Sequence, residues 1–415
     1  MPRVRLRSRR ARRALRPRRR GLGREAGRQG PGLGLGGAAR GAALPVASAQ
    51  REPDGARRGS GARGAPAPRR GPPRGPRSCG RVSSRASLKA NLQLFVTRRC
   101  QLRCRYCPIL KGDSLMPLAT ALKGADLLLG HQSGRVRLDF GGGEPLMNFE
   151  VVREASAYAA RRAKALGKDL GFYMVTNAVL LDDAVLEWAA KRGVLLEFSM
   201  DGAREDHNRY KSAYDRGLDP YAATRAGVER ALRAGSPHFV IVVASPSNVR
   251  RLAENFEHLY EIGVRRFDLS YAIGGVWSAD EEKSFFSQVE LVLTRHAREL
   301  DCGAVQLGNA RQRLEPTVLN SELMVDPDGS LHQMSEWMFE TTPPTGEAPF
   351  HVGTLDTVKD INSLRWSRFH SYYTLVRLYD GRPDVRAALL NNISFGLRVG
   401  RFFRASGARL GKVPA

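Results

Sequence analysis

Between Ser87 and Leu300 the chain alternates, six times over, a short apolar run with an amphipathic stretch of helical period. Strand-like runs fall at 92–97, 135–140, 170–175, 195–200, 239–244 and 267–271. Helical patterns follow them at 117–130, 149–166, 182–192, 221–234, 249–262 and 280–299. Strands joined through helices can pair only in parallel, because a tight turn reverses direction and a crossover does not. Six such units predict an α/β fold, a partial (β/α)6 barrel of the TIM type, with an open doubly wound sheet as the local alternative. Punctuation supports the helices. Gly167, Gly193, Gly235 and Gly263 stand where left-handed C-caps belong, and Asp182 and Asn248 where N-caps belong. The unusual residues follow the carboxyl ends of the first four strands in turn, as expected when loops at one rim share a site.

Charge separates the chain into unlike parts. The net charge is +26, yet residues 1–86 carry 24 arginines against three acids, leaving 43 basic and 38 acidic groups for the rest. The first segment, built from Arg, Gly, Pro and Ala, cannot bury enough apolar area to offset the entropy of ordering, and it is predicted to be a disordered tail. No apolar stretch follows its arginines as a twin-arginine export signal would need, and it is too rich in Gly and Pro for an amphipathic transit helix. Contact with nucleic acid would be non-specific and confined to this tail. A basic nucleic-acid-binding protein with an incidental barrel is the contrasting functional class, and the nearly neutral remainder argues against it. No run of 18 apolar residues exists to span a membrane. Beyond Leu300 the alternation stops. Residues 301–370 read as irregular, with a turn at Asp326-Pro327-Asp328-Gly329, and 371–415 as helical pieces with a basic end.

Chemistry concentrates in Cys100-Gln-Leu-Arg-Cys104-Arg-Tyr-Cys107, directly after the first strand. A loop of eight residues can bring three thiolates to one centre. Zinc sites and ordinary ferredoxin sites use a fourth ligand, and no fourth cysteine is near. A cluster with one iron left open fits, as does a zinc completed by a distant histidine. Five cysteines, three of them clustered, do not form a secreted disulfide framework, and they point to a reducing compartment. Gly141-Gly142-Gly143-Glu144-Pro145 follows the second strand. Its glycines permit close backbone approach, and no Gly-Lys-Ser/Thr follows to make it a phosphate loop. His131, His207 and His332 lack ligand spacing and read as surface or satisfied histidines.

With Tyr106 before its last cysteine, the Cys-x3-Cys-x2-Cys loop resembles that of the radical S-adenosylmethionine (SAM) superfamily over roughly residues 90–300. The resemblance implies that Cys100, Cys104 and Cys107 hold a [4Fe–4S] cluster whose open iron binds the amino and carboxylate groups of SAM. It implies cleavage of SAM to a 5′-deoxyadenosyl radical that takes hydrogen from a substrate inside the barrel. Gly142, Gly143 and Glu144 resemble the family's Gly-Gly-Glu contact to the SAM amino group. Thr176-Asn177 resembles its Thr-Asn-Gly turn, with Ala178 in place of glycine. Ser199-Met-Asp201-Gly202 resembles its Ser-x-Asp-Gly element, whose serine reaches the SAM ribose or carboxylate. Arg209 stands where a basic contact to that carboxylate often lies.

Residues 329–334 are similar to the strand-turn of the SPASM or twitch extension found in peptide- and protein-modifying members. Met334 takes the position of a cysteine, and 310–320 hold none. The small C-terminal extension is therefore expected to lack an auxiliary cluster, with Cys79 and Cys302 the only thiols left over. The chain divides into a tail (1–86), a core barrel (87–300), the extension (301–370) and a helical segment (371–415). The resemblance implies a cytoplasmic enzyme acting on a peptide or protein, with one cluster, SAM, and an external one-electron donor such as a flavodoxin or ferredoxin. A small metabolite or cofactor precursor is the alternative substrate.

Overall fold

The computed structural model describes residues 90–107, 109–308, 322–333, 350–364 and 368–409. The tail, positions 310–320 and Met334 lie outside the described residues. In chain order the elements are β1 (Asn91–Thr97), β2 (Leu102–Cys104), α1 (Leu118–Leu129), β3 (Arg135–Gly142), α2 (Phe149–Ala165) and β4 (Asp169–Thr176). Then come α3 (Asp183–Arg192), β5 (Val194–Ser199), α4 (Arg204–Tyr210), β6 (Lys211–Ala213), α5 (Pro220–Arg233) and β7 (His238–Ala244). They continue with α6 (Leu252–Ile262), β8 (Arg266–Tyr271), α7 (Ala279–Arg295), α8 (Ala297–Asp301) and β9 (Gln306–Leu307). The last are β10 (Leu323–Val325), β11 (Ser330–Gln333), β12 (His351–Thr354), α9 (Arg368–Leu378) and α10 (Pro383–Arg409).

The main sheet runs β12-β11-β10-β1-β3-β4-β5-β7-β8-β9. Every pairing from β10 to β9 is parallel. The six expected strands are β1, β3, β4, β5, β7 and β8, each within two residues of its sequence reading, and the order is consistent with a partial, unclosed barrel. The period-two rule divides each strand between two environments. On β1, Leu92, Leu94 and Val96 enter the apolar core under the helices, while Gln93 and Phe95 line a cavity on the other face.

Local chemistry sets the helix ends. The Asp182 carboxylate accepts from the Val185 amide at 2.9 Å, and α3 ends on Gly193 at φ 63°. Asn248 stands at the N-cap of the 3-10 turn Val249–Arg251 that leads into α6, but its side chain makes no capping bond there. Its side chain accepts from the Ser245 amide at 2.8 Å and closes the turn before α6. The stretch expected to be irregular instead adds β9 at one edge of the sheet and β10–β12 at the other. Strands of two to four residues are too short for alternation to register in sequence. The predicted Asp326–Gly329 turn joins β10 to β11, with Gly329 at φ 88°. At the C-terminus, α10 buries Phe395 against Trp277, ring centroids 4.7 Å apart, and Arg398 grips Glu282 bidentately. Asn392 donates to the Gly275 carbonyl at 2.7 Å, so the last helix is stapled onto the loop after β8.

Where the Thr-Asn-Gly turn was expected, Ala178 keeps the left-handed shape at φ 61° and is fully buried. Its carbonyl lies against Gly227 of α5, where an added Cβ would come within 2.1 Å of the Ala178 oxygen. Backbone cannot yield as a side chain tip can. Gly227→Ala is expected to lower stability by about 1–3 kcal/mol, read as a shifted denaturant midpoint at unchanged slope.

Candidate functional site

The three cysteines sit at the carboxyl end of β1 on a loop held from two sides. On one side the Gly-Gly-Glu segment zips onto it through backbone hydrogen bonds. The Gly143 amide donates to the Thr97 carbonyl and the Glu144 amide to the Arg99 carbonyl, both at 2.8 Å. No side chain fits between these strands. A Cβ on Gly142 would lie 2.3 Å from the Thr97 oxygen, and one on Gly143 2.0 Å from the Arg99 oxygen. On the other side β2 pairs antiparallel with β6, setting Cys104 opposite Lys211.

Glu144 is buried and braces the next loop. Its carboxylate accepts from the Thr176 hydroxyl at 2.7 Å, the Asn177 amide at 2.9 Å and the Leu146 amide at 3.2 Å. Burial raises its pKa and these donors oppose the rise. Asn177 in turn donates to the Cys100 sulfur at 3.7 Å and accepts from Gln101 at 2.9 Å. Tyr106 turns its hydroxyl to Asp201 at 2.6 Å. Asp201, fully buried, also accepts from the Val243 amide and lies 3.5 Å from the ammonium of Lys211. Lys211 donates to the carbonyl of Ser199 at 2.6 Å and to its hydroxyl at 2.9 Å.

The structure thus brings Cys100, Cys104, Cys107, Tyr106, Gly142, Gly143, Glu144, Asn177, Ser199 and Asp201 to one rim. Arg209 does not join them. It is exposed on α4, and the cation reaching the site is the buried Lys211 two residues on. The helical turn before Lys211 points Arg209 to solvent, while the first residue of β6 points inward. Sequence reading missed Lys211, whose one available signal was its place soon after Ser199–Gly202. It also missed Lys111, whose pKa burial would lower but the Cys107 and Cys100 sulfurs raise. His207 is buried rather than superficial. It accepts from the Asp201 amide at 3.3 Å, its Nε2 has no partner among the described residues, and burial keeps it neutral by lowering its pKa far below the usual range. His131 and His332 are buried and hydrogen-bonded, and Cys302 is an exposed free thiol.

The thiols form an electrostatic group. Burial pushes Cys104 up to about 12 and raises Cys100 as well, while Lys211 and Lys111 respectively oppose the rise. Among the described residues no three His, Cys, Asp or Glu side chains close on a single metal ion. The three half-buried thiols are close enough to feel one another's charge, and soft thiolate donors suit zinc or an iron–sulfur cluster.

Below the rim a cavity of about 440 Å³ opens between the strands. It runs from Tyr106, Gly142 and Ser199 down to Asp139, Tyr173, Glu197 and Glu322. Arg137 holds Asp139 bidentately at 2.6 and 2.7 Å and stacks over the Tyr173 ring. The Tyr173 hydroxyl donates to Glu197. Burial pushes Glu197 up to about 7, with Asp268 and Glu322 adding to the rise and Tyr173 and Arg137 opposing it.

Parallel β/α units with thiolates and a glycine-lined loop at one rim define an α/β protein whose strand ends gather potential metal donors, a fold consistent with a partial barrel. Residues 94–271 match the Radical SAM superfamily, so this part of the chain carries a radical SAM domain. An uncharacterized protein of Methanocaldococcus jannaschii is 28% identical over 182 residues, covering 43% of this chain and 62% of the relative. A GTP 3′,8-cyclase of Rhodococcus opacus is 27% identical over 226 residues, covering 50% and 61%. The chain therefore spans about three-fifths of the length of these relatives. Native anSMEcpe with bound AdoMet superposes at TM-score 0.60 and 14% identity, covering 76% of this chain and 99% of that one. The form with bound AdoMet and Kp18Cys peptide gives 0.58 at 13% identity, covering 77% and 99%. A radical SAM domain implies a [4Fe–4S] cluster and SAM binding.

Two expectations follow from the site. Removing Lys211 strands the buried carboxylate of Asp201, so Lys211→Met is expected to cost about 3–5 kcal/mol. Arg209→Met should stay within about 0.5 kcal/mol of the parent. Denaturant unfolding of both variants checks the assignment. Glu197 supplies a pH test. An unfolded glutamate ionises near 4.5, whereas the folded one holds its proton to about 7. The parent therefore loses stability as pH rises through that window, and Gln, which cannot ionise, does not. Glu197→Gln should gain about 2–3 kcal/mol on the parent between about pH 5 and 8, measured by unfolding at each pH.

Proposed function

We propose that this chain is a cytoplasmic radical SAM enzyme acting on a peptide or protein, with residues 87–300 as its core and 301–370 as an extension free of auxiliary clusters. Cys100, Cys104 and Cys107 hold the one [4Fe–4S] cluster, and the carrying observation is their convergence as half-buried thiols on a loop zipped to Gly143 and Glu144. When bound, the cluster supplies the electron that cleaves SAM to a 5′-deoxyadenosyl radical. Asn177 orients the Cys100 sulfur, and Lys111 and Lys211 offset the negative charge of the thiolates. Gly142 and Gly143 leave room for SAM against the backbone. Glu144 receives its ammonium with the acceptor capacity left beyond its three donors. Ser199 and Lys211 take its carboxylate side, with Asp201 and Tyr106 fixing the lysine.

Below them, apolar strand residues keep water from the radical's path. An external flavodoxin or ferredoxin provides the electron, and nucleic acid meets only the tail, without sequence preference. No helix among the described residues is long and apolar enough to cross a membrane. The likeness to anSMEcpe, solved with a peptide, supports the peptide reading, while the likeness to GTP 3′,8-cyclases favours a small metabolite as the second.

Anaerobically reconstituted protein is expected to carry about four irons per chain and to release 5′-deoxyadenosine from SAM on reduction. Replacing Cys100, Cys104 or Cys107 with Ala should abolish the iron–sulfur absorbance and lower SAM cleavage by at least about a hundredfold. Cleavage retained by the triple variant would refute the assignment.

A further inference from the structure

The cavity under the rim has a chemical polarity that the rim itself does not explain. Its walls are apolar, from Phe95, Val175, Val243 and Met324. The charged side chains lining it, among the described residues, are Asp139, Glu197 and Glu322, all carboxylates. Arg137, which approaches from below, is engaged: its fork closes on Asp139, and its plane lies 4.6 Å from the Tyr173 ring centroid. Asp139 is thereby neutralised, and Asn91 donates to it as well at 2.9 Å. Glu197 has no such cation. Among the described residues its hydrogen bond comes from the neutral phenol of Tyr173, on one oxygen, and the residue lines the cavity. Asp268 and Glu322 add negative potential to it. In a chamber with low-dielectric walls this potential is focused rather than screened.

We propose that the substrate carries a cationic nitrogen, an ammonium or guanidinium, seated on Glu197 at the floor of this chamber. This rests on the reading of the rim as the SAM site, which places the chamber directly beneath the reacting cofactor. A cation there regains for Glu197 what burial takes away, and apolar walls suit the methylenes of a lysine- or arginine-like chain. A volume of about 440 Å³ is that of a small-ligand pocket. The same floor repels a polyanion, so a nucleoside triphosphate is excluded on charge and a basic side chain of a peptide is admitted.

The test uses full-length reconstituted protein with SAM bound, at about pH 8 so that Glu197 is ionised. Agmatine and Nα-acetyl-lysine amide are titrated by calorimetry beside the neutral N-butylacetamide and GTP. Both cations are expected to bind at least about tenfold more tightly than the neutral amide, and GTP not to enter. Glu197→Gln should lose about tenfold in cation affinity, Glu197→Asp should recover most of it, and Ser270→Lys, which sets an ammonium into the same cavity, should abolish it. Affinity for SAM, measured on the same variants, should not move. Its loss would count against the rim assignment instead. Cation binding unaffected by Glu197→Gln, GTP or the amide binding as well as the cations, or no binding by either cation at millimolar concentration would each overturn the proposal. If the Gln variant fails to fold, Ser270→Lys alone decides, since cation affinity surviving it is equally fatal.

Discussion

The site depends on one contact: backbone laid against backbone where Gly142 and Gly143 meet Thr97–Arg99. The cysteine loop has little regular structure of its own, only the three residues of β2. Its position is inherited from the end of β3, because the amides of Gly143 and Glu144 bind the carbonyls that immediately precede Cys100. That approach requires glycine at both positions, and it delivers the Glu144 carboxylate to the end of β4. There it ties down Asn177, which returns to Cys100. The result is a closed circuit through β1, β3 and β4 in which each loop is held by the next.

A second tie joins this circuit to the C-terminal part of the chain. Arg98, between the strand and the first cysteine, pairs with Asp326 at 2.6 Å, in the turn between β10 and β11. β10 itself runs parallel to β1. The extension is thus an added edge of the same sheet, seated against the strand that leads into the cysteine loop. This explains how a segment whose one cysteine among the described residues, Cys302, is an exposed free thiol can still shape the site: it packs against β1 and supplies Met324 and Glu322 to the chamber.

Much of this was legible because the β/α fold obeys two periods that sequence displays openly, and because its rim residues follow strands whose ends those periods locate. The cysteines stood out by their spacing, and Glu144, Asn177, Ser199 and Asp201 by resemblance to family motifs that follow those strands. What could not be read depends on register and on faces. Lys211 and Arg209 are two residues apart and chemically alike. Only the change from α4 to the three-residue β6 decides which of them faces Asp201, and so short a strand leaves no pattern. β10–β12 were hidden for the same reason. The acids in and beside the chamber, Asp139, Glu197, Asp268 and Glu322, lie on or next to four different strands, so no local motif could reveal them. Ala178 shows the converse, a departure from the expected glycine that the turn absorbs because Thr176, Glu144 and Gly227 determine its shape from three sides.

Rim and floor carry opposite chemistry, and the physical reason follows from what each must hold. At the rim, burial works against the thiolates, and Lys111 and Lys211 answer it, so the rim accepts soft, negatively charged donors and the metal they require. At the floor, burial works against Glu197, and Arg137, the guanidinium close by, is given to Asp139. One carboxylate in the chamber is therefore left to a neutral phenol, and that imbalance sits one strand turn below Ser199. A buried acid without a cation is costly unless something arrives to meet it. The apolar walls between rim and floor make water a poor candidate, because they offer it few partners. The arrangement is that of a chamber completed by its occupant, whose charge settles on the floor while its reactive carbon is held among apolar side chains under the rim.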